Sequence, residues 1–182
     1  EYTDSFFSVL TVANGRAMLD AGFTTVRNVG SQNRDDIGLQ QAVDSGRIVG
    51  PRIIGAGYAL GATGGHCDVT GPPPSLEQDH KEEGVADSPE EFRYQVRRQK
   101  KYGARVIKIC ATGGVFSHND EPGQQQMTPD ELSAVADEAH MAGLRVAAHA
   151  HGAAGITAAI NAGIDTIEHA SLVDDEGIRL AV

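Results

Sequence analysis

Residues 140–149 read HMAGLRVAAH, which is the end of a predicted helix, a glycine, and a short apolar strand ending in a polar residue. The same phrase occurs at 19–28 (LDAGFTTVRN), 100–108 (KKYGARVIK) and 160–169 (INAGIDTIEH). A glycine just after a helix accommodates the positive φ that residues with a Cβ disfavour. Short apolar strands of this kind suit a parallel sheet that is covered on both faces. The repeat therefore predicts alternating helices and parallel strands.

Five predicted strands and two clear helix starts give the order of the elements. The strands are predicted at about 24–29, 51–57, 105–112, 145–150 and 165–170. Ser88 and Thr128 are each followed by a proline and, three residues on, by a glutamate, which is the pattern of a capping box. Helices that alternate with strands in this way predict right-handed crossovers and a parallel sheet.

The expected fold class is α/β, as part of a (β/α)₈ TIM-type barrel with about five parallel strands and intervening helices. An open dinucleotide-binding sheet is disfavoured, because the glycines after 51–57 lead into a long loop at about 58–87 and not into a helix. A whole barrel takes about 250 residues. The 182 residues of this chain therefore predict that the first and last strands lie outside it. We expect 1–182 to form a single partial barrel, a piece of a longer protein that here begins with Glu1.

The composition argues against several classes of function. Fifteen Lys and Arg against 25 Asp and Glu give a net charge of −10, which disfavours nucleic acid because phosphate binding needs clustered cations. No apolar stretch approaches the about 20 residues of a membrane span. Cys67 and Cys110 form no C-x-x-C pattern, and we expect free thiols and a cytoplasmic location. The expected partner is a small-molecule or dipeptide substrate, and a homo-oligomer is compatible with the sequence.

Polar residues recur at the carboxyl ends of three successive predicted strands. Lys108, His149 and His169 occupy this place, where barrel enzymes carry their catalytic groups. Imidazole binds zinc and similar divalent ions, and a buried neutral lysine amine can react with CO₂ to give an anionic carbamate ligand. A single histidine there is more often structural, and a single lysine is more often a surface charge. From the pattern alone, a metal site and a structural role are equal alternatives.

Alternation along the strands predicts which side chains share a face. His149 and His151 are two residues apart and share one face, whereas Glu168 lies opposite His169 and is expected to face the helices. His66 follows two glycines in TGGHCD, on the loop after the second predicted strand. Contact of His66 with a ligand and a merely structural role are both open.

Taken together, the motifs resemble the amidohydrolase superfamily, and within it the imidazolonepropionase-like and Xaa-Pro dipeptidase group. The resemblance rests on AGFTTVRNVG, GPRIIGAGYALGATGGHCD, GARVIKICATGGVFS, VAAHAHG and AGIDTIEHAS. It implies a (β/α)₈ barrel that holds one or two divalent metals, usually zinc, and activates water against an amide, peptide or lactam carbonyl. It also implies that Lys108 is N-carboxylated and bridges the metals, and that His149 and His169 are metal ligands. His151 and His66 match positions that contact substrate at the catalytic site.

Three family features are absent or altered in this sequence. The His-x-His pair of the first barrel strand and the aspartate of the last strand do not occur in it, and Asn28 stands where an aspartate is more common. The leading hypothesis is a metal-dependent hydrolase of amide-type bonds. The alternatives are a non-catalytic scaffold that keeps the barrel, and a phosphotriesterase-like or lactonase-like metal hydrolase. The loops at 58–87 and 113–127 are expected to set specificity.

Overall fold

The computed structural model describes residues 2–73, 80–118 and 120–182. Helices and strands alternate along these residues, as the repeated phrase predicts. Their bounds are α1 Asp4–Asp20, β1 Thr25–Asn28, α2 Asp35–Asp44, β2 Arg52–Gly55, α3 Pro89–Tyr102, β3 Val106–Cys110, α4 Pro129–Met141, β4 Arg145–Gly152, α5 Ala153–Asn161, β5 Thr166–Leu172 and α6 Asp175–Ala181. The predicted loop at 58–87 contains a 3₁₀ turn, His80–Glu83, and its residues 74–79 lie outside the described part of the chain.

The strands pair in parallel, in the order of the sequence. β1 pairs with β2, and β3 pairs with β4, which pairs with β5. The chain beyond β2 runs beside β3, because the Leu60 N–H donates to the Lys108 carbonyl at 2.8 Å and the Cys110 N–H donates to the Leu60 carbonyl at 2.9 Å. The architecture is therefore α/β with parallel strands, consistent with a fragment of the predicted barrel.

The two faces of the sheet differ in what they bury. Ile107, Ile109 and Val146 point to the helices and pack in one large core with helix residues that include Phe92, Val96, Leu132, Val135 and Ile156. Burying each such side chain contributes about 1.5–3 kcal/mol, so this side holds the sheet to its helices. The opposite side, which we call the inner face, has a small apolar cluster among the described residues, around Ala56, Val106 and Ala147. Lys108 and His149 lie on the inner face, above that cluster.

The two predicted helix starts differ in detail. At Thr128 the capping box is complete, since its side chain accepts from the Glu131 N–H at 3.3 Å and the Glu131 carboxylate accepts from the Thr128 N–H at 2.8 Å. Ser88 caps α3 by accepting from the Glu91 N–H, but the Glu91 carboxylate accepts from the Asp87 N–H at 2.8 Å. The start of α3 is thus a serine cap without the reciprocal bond. Among the described residues, no helix has the length and apolar character to span a membrane.

The expectation of two free thiols was wrong, because the structure joins Cys67 and Cys110 in a disulfide. Cys110 ends β3, and the chain that runs beside β3 then turns back so that the two Cα atoms lie 5.7 Å apart. Gly61 permits this close return, since a Cβ there would lie 2.7 Å from the Cys67 Cβ. Disulfides persist mainly in oxidising compartments, so the predicted cytoplasmic location loses the support of the free thiols.

Replacing Cys67 with serine should lower the free energy of unfolding by about 4 kcal/mol, the chain-entropy value for a loop of this length. The cross-link spans 43 residues and restricts mainly the unfolded chain. Urea unfolding of the full-length protein, with and without reductant, measures the difference. In reductant the Cys67→Ser variant and the wild type should unfold alike. Two titratable thiols in the native, non-reduced wild type would contradict the prediction.

Candidate metal centre

Four imidazoles meet on the inner face, at the carboxyl ends of the strands. His149 and His151 come from β4, His169 from β5, and His66 from the loop after β2. The ring centroid of His149 lies 4.1 Å from that of His66, 4.6 Å from that of His151 and 4.8 Å from that of His169. We call this set the four-histidine cluster. Within it, one ligand atom each of His149, His151 and His169 lies within 4.8 Å of the others.

A break in the regular geometry of β5 brings His169 into the cluster. His169 and Ala170 have φ values of 75° and 50°, and the register between β4 and β5 shifts between Ala150 and Gly152. Positive φ is uncommon for residues with a Cβ, and a bulge of this kind re-aims a side chain. His169 therefore joins His149 on the inner face, although Ile167, two residues before it, packs against the helix-side core.

The expectation that Glu168 faces the helices was wrong, because it assumed regular alternation along β5, which the bulge at His169 and Ala170 breaks. The Glu168 carboxylate accepts two hydrogen bonds from the Arg27 guanidinium, at 2.7 and 2.9 Å. Arg27 also donates to the Thr166 hydroxyl at 3.0 Å, so a charged pair connects β1 with β5 across the inner face. The bulge lets both Glu168 and His169 lie on this side, which simple alternation forbids.

The tautomer of His149 suits a metal ligand. Its Nε2 lies 2.8 Å from the carbonyl oxygen of Gly113, and a carbonyl only accepts hydrogen bonds. Nε2 must therefore carry the proton, which leaves the lone pair of Nδ1 for a ligand. Burial lowers the pKa of His149 to about 4, so that the ring is neutral at pH 7. His149 is 3% exposed.

Lys108 lies on the same face and, unlike most lysines, is buried there. This burial lowers its pKa to about 8, against a smaller opposing effect of Glu168. The Nζ atom lies 3.9 Å from the Cys110 sulfur. Its charge also contributes to the lowered pKa of both His149 and His66, after the larger effect of burial. A lysine with a depressed pKa has an accessible neutral amine, the form that reacts with CO₂.

The other two imidazoles are each held by a serine hydroxyl. His151 Nδ1 lies 2.9 Å from the Ser171 Oγ, and His66 Nδ1 lies 2.8 Å from the Ser117 Oγ. Burial lowers the pKa of both histidines. His66 also borders a cavity of about 290 Å³, whose lining includes Tyr58 and His80. The cavity provides room for a small molecule beside the cluster.

The structure brings most of the residues singled out in the sequence to one site, but not all of them. His66, His149, His151 and His169 come together, and Lys108 shares their face. Asn28 takes no part, since its amide donates to the Gly30 carbonyl and to Asp36 of α2. Sequence reasoning missed the residues that hold the imidazole rings in place by hydrogen bonds, directly or through a neighbour. They are Gly113, Ser117, Asp120, Gln126 and Ser171. The glycine pairs in ATGG and TGGH are the signal that could have pointed to close contact between these two loops.

Gly114 allows the loop after β3 to lie against His66. A Cβ at position 114 would overlap the imidazole ring of His66. Gly114→Ala should therefore displace that ring and lower the free energy of unfolding by about 1–3 kcal/mol, the usual cost of overpacking. Thermal unfolding measures this. Gly38→Ala in α2 is the matched control, because nothing lies within 4 Å of a Cβ there and alanine favours a helix. Equal melting temperatures for Gly114→Ala and the wild type would contradict the prediction.

Comparison with known proteins agrees with the fold and assigns the family. The amidohydrolase family model matches residues 3–182, and the chain therefore belongs to the amidohydrolase family, as its motifs predict. Ochratoxinase from Aspergillus niger is 37% identical over 171 residues, 87% of this chain and 35% of its own. A solved Xaa-Pro dipeptidase with bound methionine in the active site is 39% identical, with a TM-score of 0.94 over 99% of this chain and 45% of its own.

A second solved structure of this kind is a prolidase complexed with N-methylphosphonate-L-proline. It is 36% identical, with a TM-score of 0.88 over 98% of this chain and 45% of that chain. This chain thus spans about a third of the curated relative and less than half of these solved structures. The family is typically metal-dependent, and the histidine triad in the described residues could hold a metal ion.

Proposed function

We propose that the protein is a metal-dependent amidohydrolase that hydrolyses an amide, peptide or lactam bond. The observation that carries the proposal is the convergence of His149 and His169, two of the three imidazoles whose ligand atoms lie within 4.8 Å of one another, on the same face as a buried lysine. Imidazole nitrogens suit zinc and related divalent ions. A scaffold gains nothing from a lysine that is buried on the same face as these imidazoles, because taking an ammonium group out of water costs free energy.

The residues proposed to hold the metal are Lys108, His149 and His169. His149 would bind through Nδ1, because Nε2 is committed to the Gly113 carbonyl. Lys108 would bind as its carbamate, which is anionic and offers two oxygens where the ammonium offers no lone pair. When bound, a divalent ion, zinc in this proposal, lowers the pKa of water toward 7 and polarises the substrate carbonyl. One or two ions are compatible with this ligand set.

His151 and His66 are proposed to contact the substrate. Both rings lie against His149, and each is oriented through Nδ1 by a serine hydroxyl. A ring fixed in this way can present Nε2 to a substrate or to the attacking water, and such positioning is a large part of catalysis. The proton-handling aspartate of the family resemblance is not among the residues of this sequence, so general base catalysis is assigned here to no residue.

Xaa-Pro or other dipeptides are the first substrates to test. The relatives named above are an ochratoxinase, an Xaa-Pro dipeptidase and a prolidase solved with a proline phosphonate. The cavity beside His66, of about 290 Å³, would hold part of a ligand of dipeptide size. We also propose that residues 1–182 belong to one (β/α)₈ barrel, with the loops at 58–87 and 113–127 selecting the substrate.

The test uses the full-length protein, of which this chain is proposed to be a part. Metal content is measured on the purified protein, and hydrolysis is followed with Xaa-Pro dipeptides, N-acyl amino acids, lactams, lactones and phosphotriesters, before and after chelation and zinc addition. Zinc-dependent release of proline or another amine supports the proposal. Stoichiometric metal with turnover of lactones or phosphotriesters alone would favour a phosphotriesterase-like or lactonase-like metal hydrolase. A protein with neither metal nor turnover would be a scaffold.

A further inference from the structure

We propose that Asp120, acting through Ser117, is a positioning residue that sets the orientation and tautomer of His66, leaving His66 Nε2 to accept a hydrogen bond from a substrate N–H. The inference rests on the proposed function for the substrate, and on hydrogen-bond geometry for the positioning. In the described part of the chain, the hydrogen bonds of Ser117 and Asp120 reach the ring of the cluster's His66. Both belong to the loop that follows β3.

The direction of each hydrogen bond follows from which group can donate. A carboxylate only accepts, so the Ser117 hydroxyl donates to Asp120 Oδ1, at 2.6 Å. With its proton so committed, the Ser117 oxygen must accept from His66 Nδ1, which lies 2.8 Å away. His66 is therefore held with a proton on Nδ1, and in the neutral ring, which burial favours by lowering the pKa of His66, the lone pair is on Nε2.

A second connection closes this network into a ring. The Gln126 side-chain amide donates from Nε2 to Asp120 Oδ2 at 2.8 Å, and its Oε1 accepts from the backbone N–H of His66 at 2.9 Å. Both oxygens of Asp120 are thus used, one toward the ring of His66 and one toward its backbone. An asparagine has one acceptor oxygen and could satisfy only one of these two bonds.

Close packing keeps the ring in place between the two loops. A Cβ at Gly114 would overlap the His66 ring, and a Cβ at Gly65 would lie 2.9 Å from Gln126 Oε1. The loops therefore meet at glycines, and the imidazole of His66 lies tilted by 31° against that of His149, with centroids 4.1 Å apart. The Nδ1 edge of the ring is fixed by Ser117, so Nε2 is the nitrogen that is left for the site.

The test combines a spectroscopic signature with steady-state kinetics in the zinc-loaded, full-length protein. ¹⁵N-histidine NMR, with His66→Gln to assign the signals, should find His66 as the Nδ1–H tautomer in the wild type. Ser117→Ala should populate the Nε2–H tautomer and raise KM about tenfold for a dipeptide with a donor N–H, with smaller change in kcat, as expected for loss of one oriented hydrogen bond. Asp120→Asn should give an intermediate shift, and Ser117→Thr should restore both readouts.

Ser8→Ala is the matched control, because Ser8 donates to Asp35 Oδ1 at 2.7 Å in an equivalent pair on the surface. It should change neither the His66 signals nor KM. The inference is overturned if Ser117→Ala and Asp120→Asn leave the tautomer and KM unchanged, or if they act only through lost zinc or a lower melting temperature. A wild type that hydrolyses no amide, peptide or lactam bond refutes the proposed function, and the tautomer measurement then decides the positioning by itself.

Discussion

His149→Ala in the full-length protein should abolish hydrolysis and weaken zinc binding by more than about 100-fold. Residues that merely orient a metal ligand cost 10–100-fold when removed, and His149 is proposed as a ligand itself. Its ring lies at the centre of the four-histidine cluster, and the bond from Nε2 to the Gly113 carbonyl aims the Nδ1 lone pair. Metal analysis after dialysis and a dipeptide assay measure the two losses.

His140→Ala is the matched control for this prediction. His140 lies on α4, and its Nε2 is 2.9 Å from Asp165 Oδ2, remote from the cluster. It should keep full metal content and activity. Because removing a buried ring leaves a cavity, His149→Asn provides a second variant that keeps a polar side chain of intermediate size. If both position-149 variants bind zinc as the wild type does, His149 is not a ligand.

The fold was predictable because its signals are local. Each predicted strand lies within a few residues of an observed one, since the glycine after a helix and the β-branched run that follows are read from ten neighbouring residues. The cap at Thr128 is equally local. The recurrence of polar residues at the carboxyl ends of the strands also pointed to Lys108 and His149, which the structure places on one face. The family resemblance of the motifs, which the comparisons confirm, pointed to the same residues.

The rest of the site depends on features that the sequence does not display. Glu168 was predicted to face the helices because side chains alternate between the two faces of a regular strand. The positive φ values of His169 and Ala170 break that alternation in β5. The disulfide joins residues 43 apart, and the support of His66 comes from a loop 51 residues further along the chain. Contacts of this kind are fixed by the tertiary fold and not by local propensity, which is why Asp120, Ser117 and Gln126 were not predicted.

Lys108→Ala should lower kcat/KM by at least about 100-fold, with part of the activity restored by millimolar propionate. The proposed carbamate supplies anionic oxygens from a buried position that alanine leaves empty, and a small carboxylate can occupy that space. Lys108→Arg should also be inactive but should not respond to propionate. Its guanidinium stays protonated, cannot form a carbamate, and fills the space that the carboxylate needs.

The proposed carbamate can be tested directly in the wild type. Incubation of the metal-free protein with ¹³C-bicarbonate and zinc should give a carbamate ¹³C resonance that both Lys108 variants lack and that the control Lys101→Ala, at an exposed site on α3, retains. Because burial lowers the pKa of Lys108 to about 8, the reactive neutral amine falls about tenfold for each pH unit below 8. At a fixed concentration of dissolved CO₂, metal loading should therefore slow between pH 8 and pH 6. Full activity of Lys108→Arg, or a wild type without the resonance, would remove the carbamate from the mechanism while leaving the histidines as ligands of a site with one metal ion.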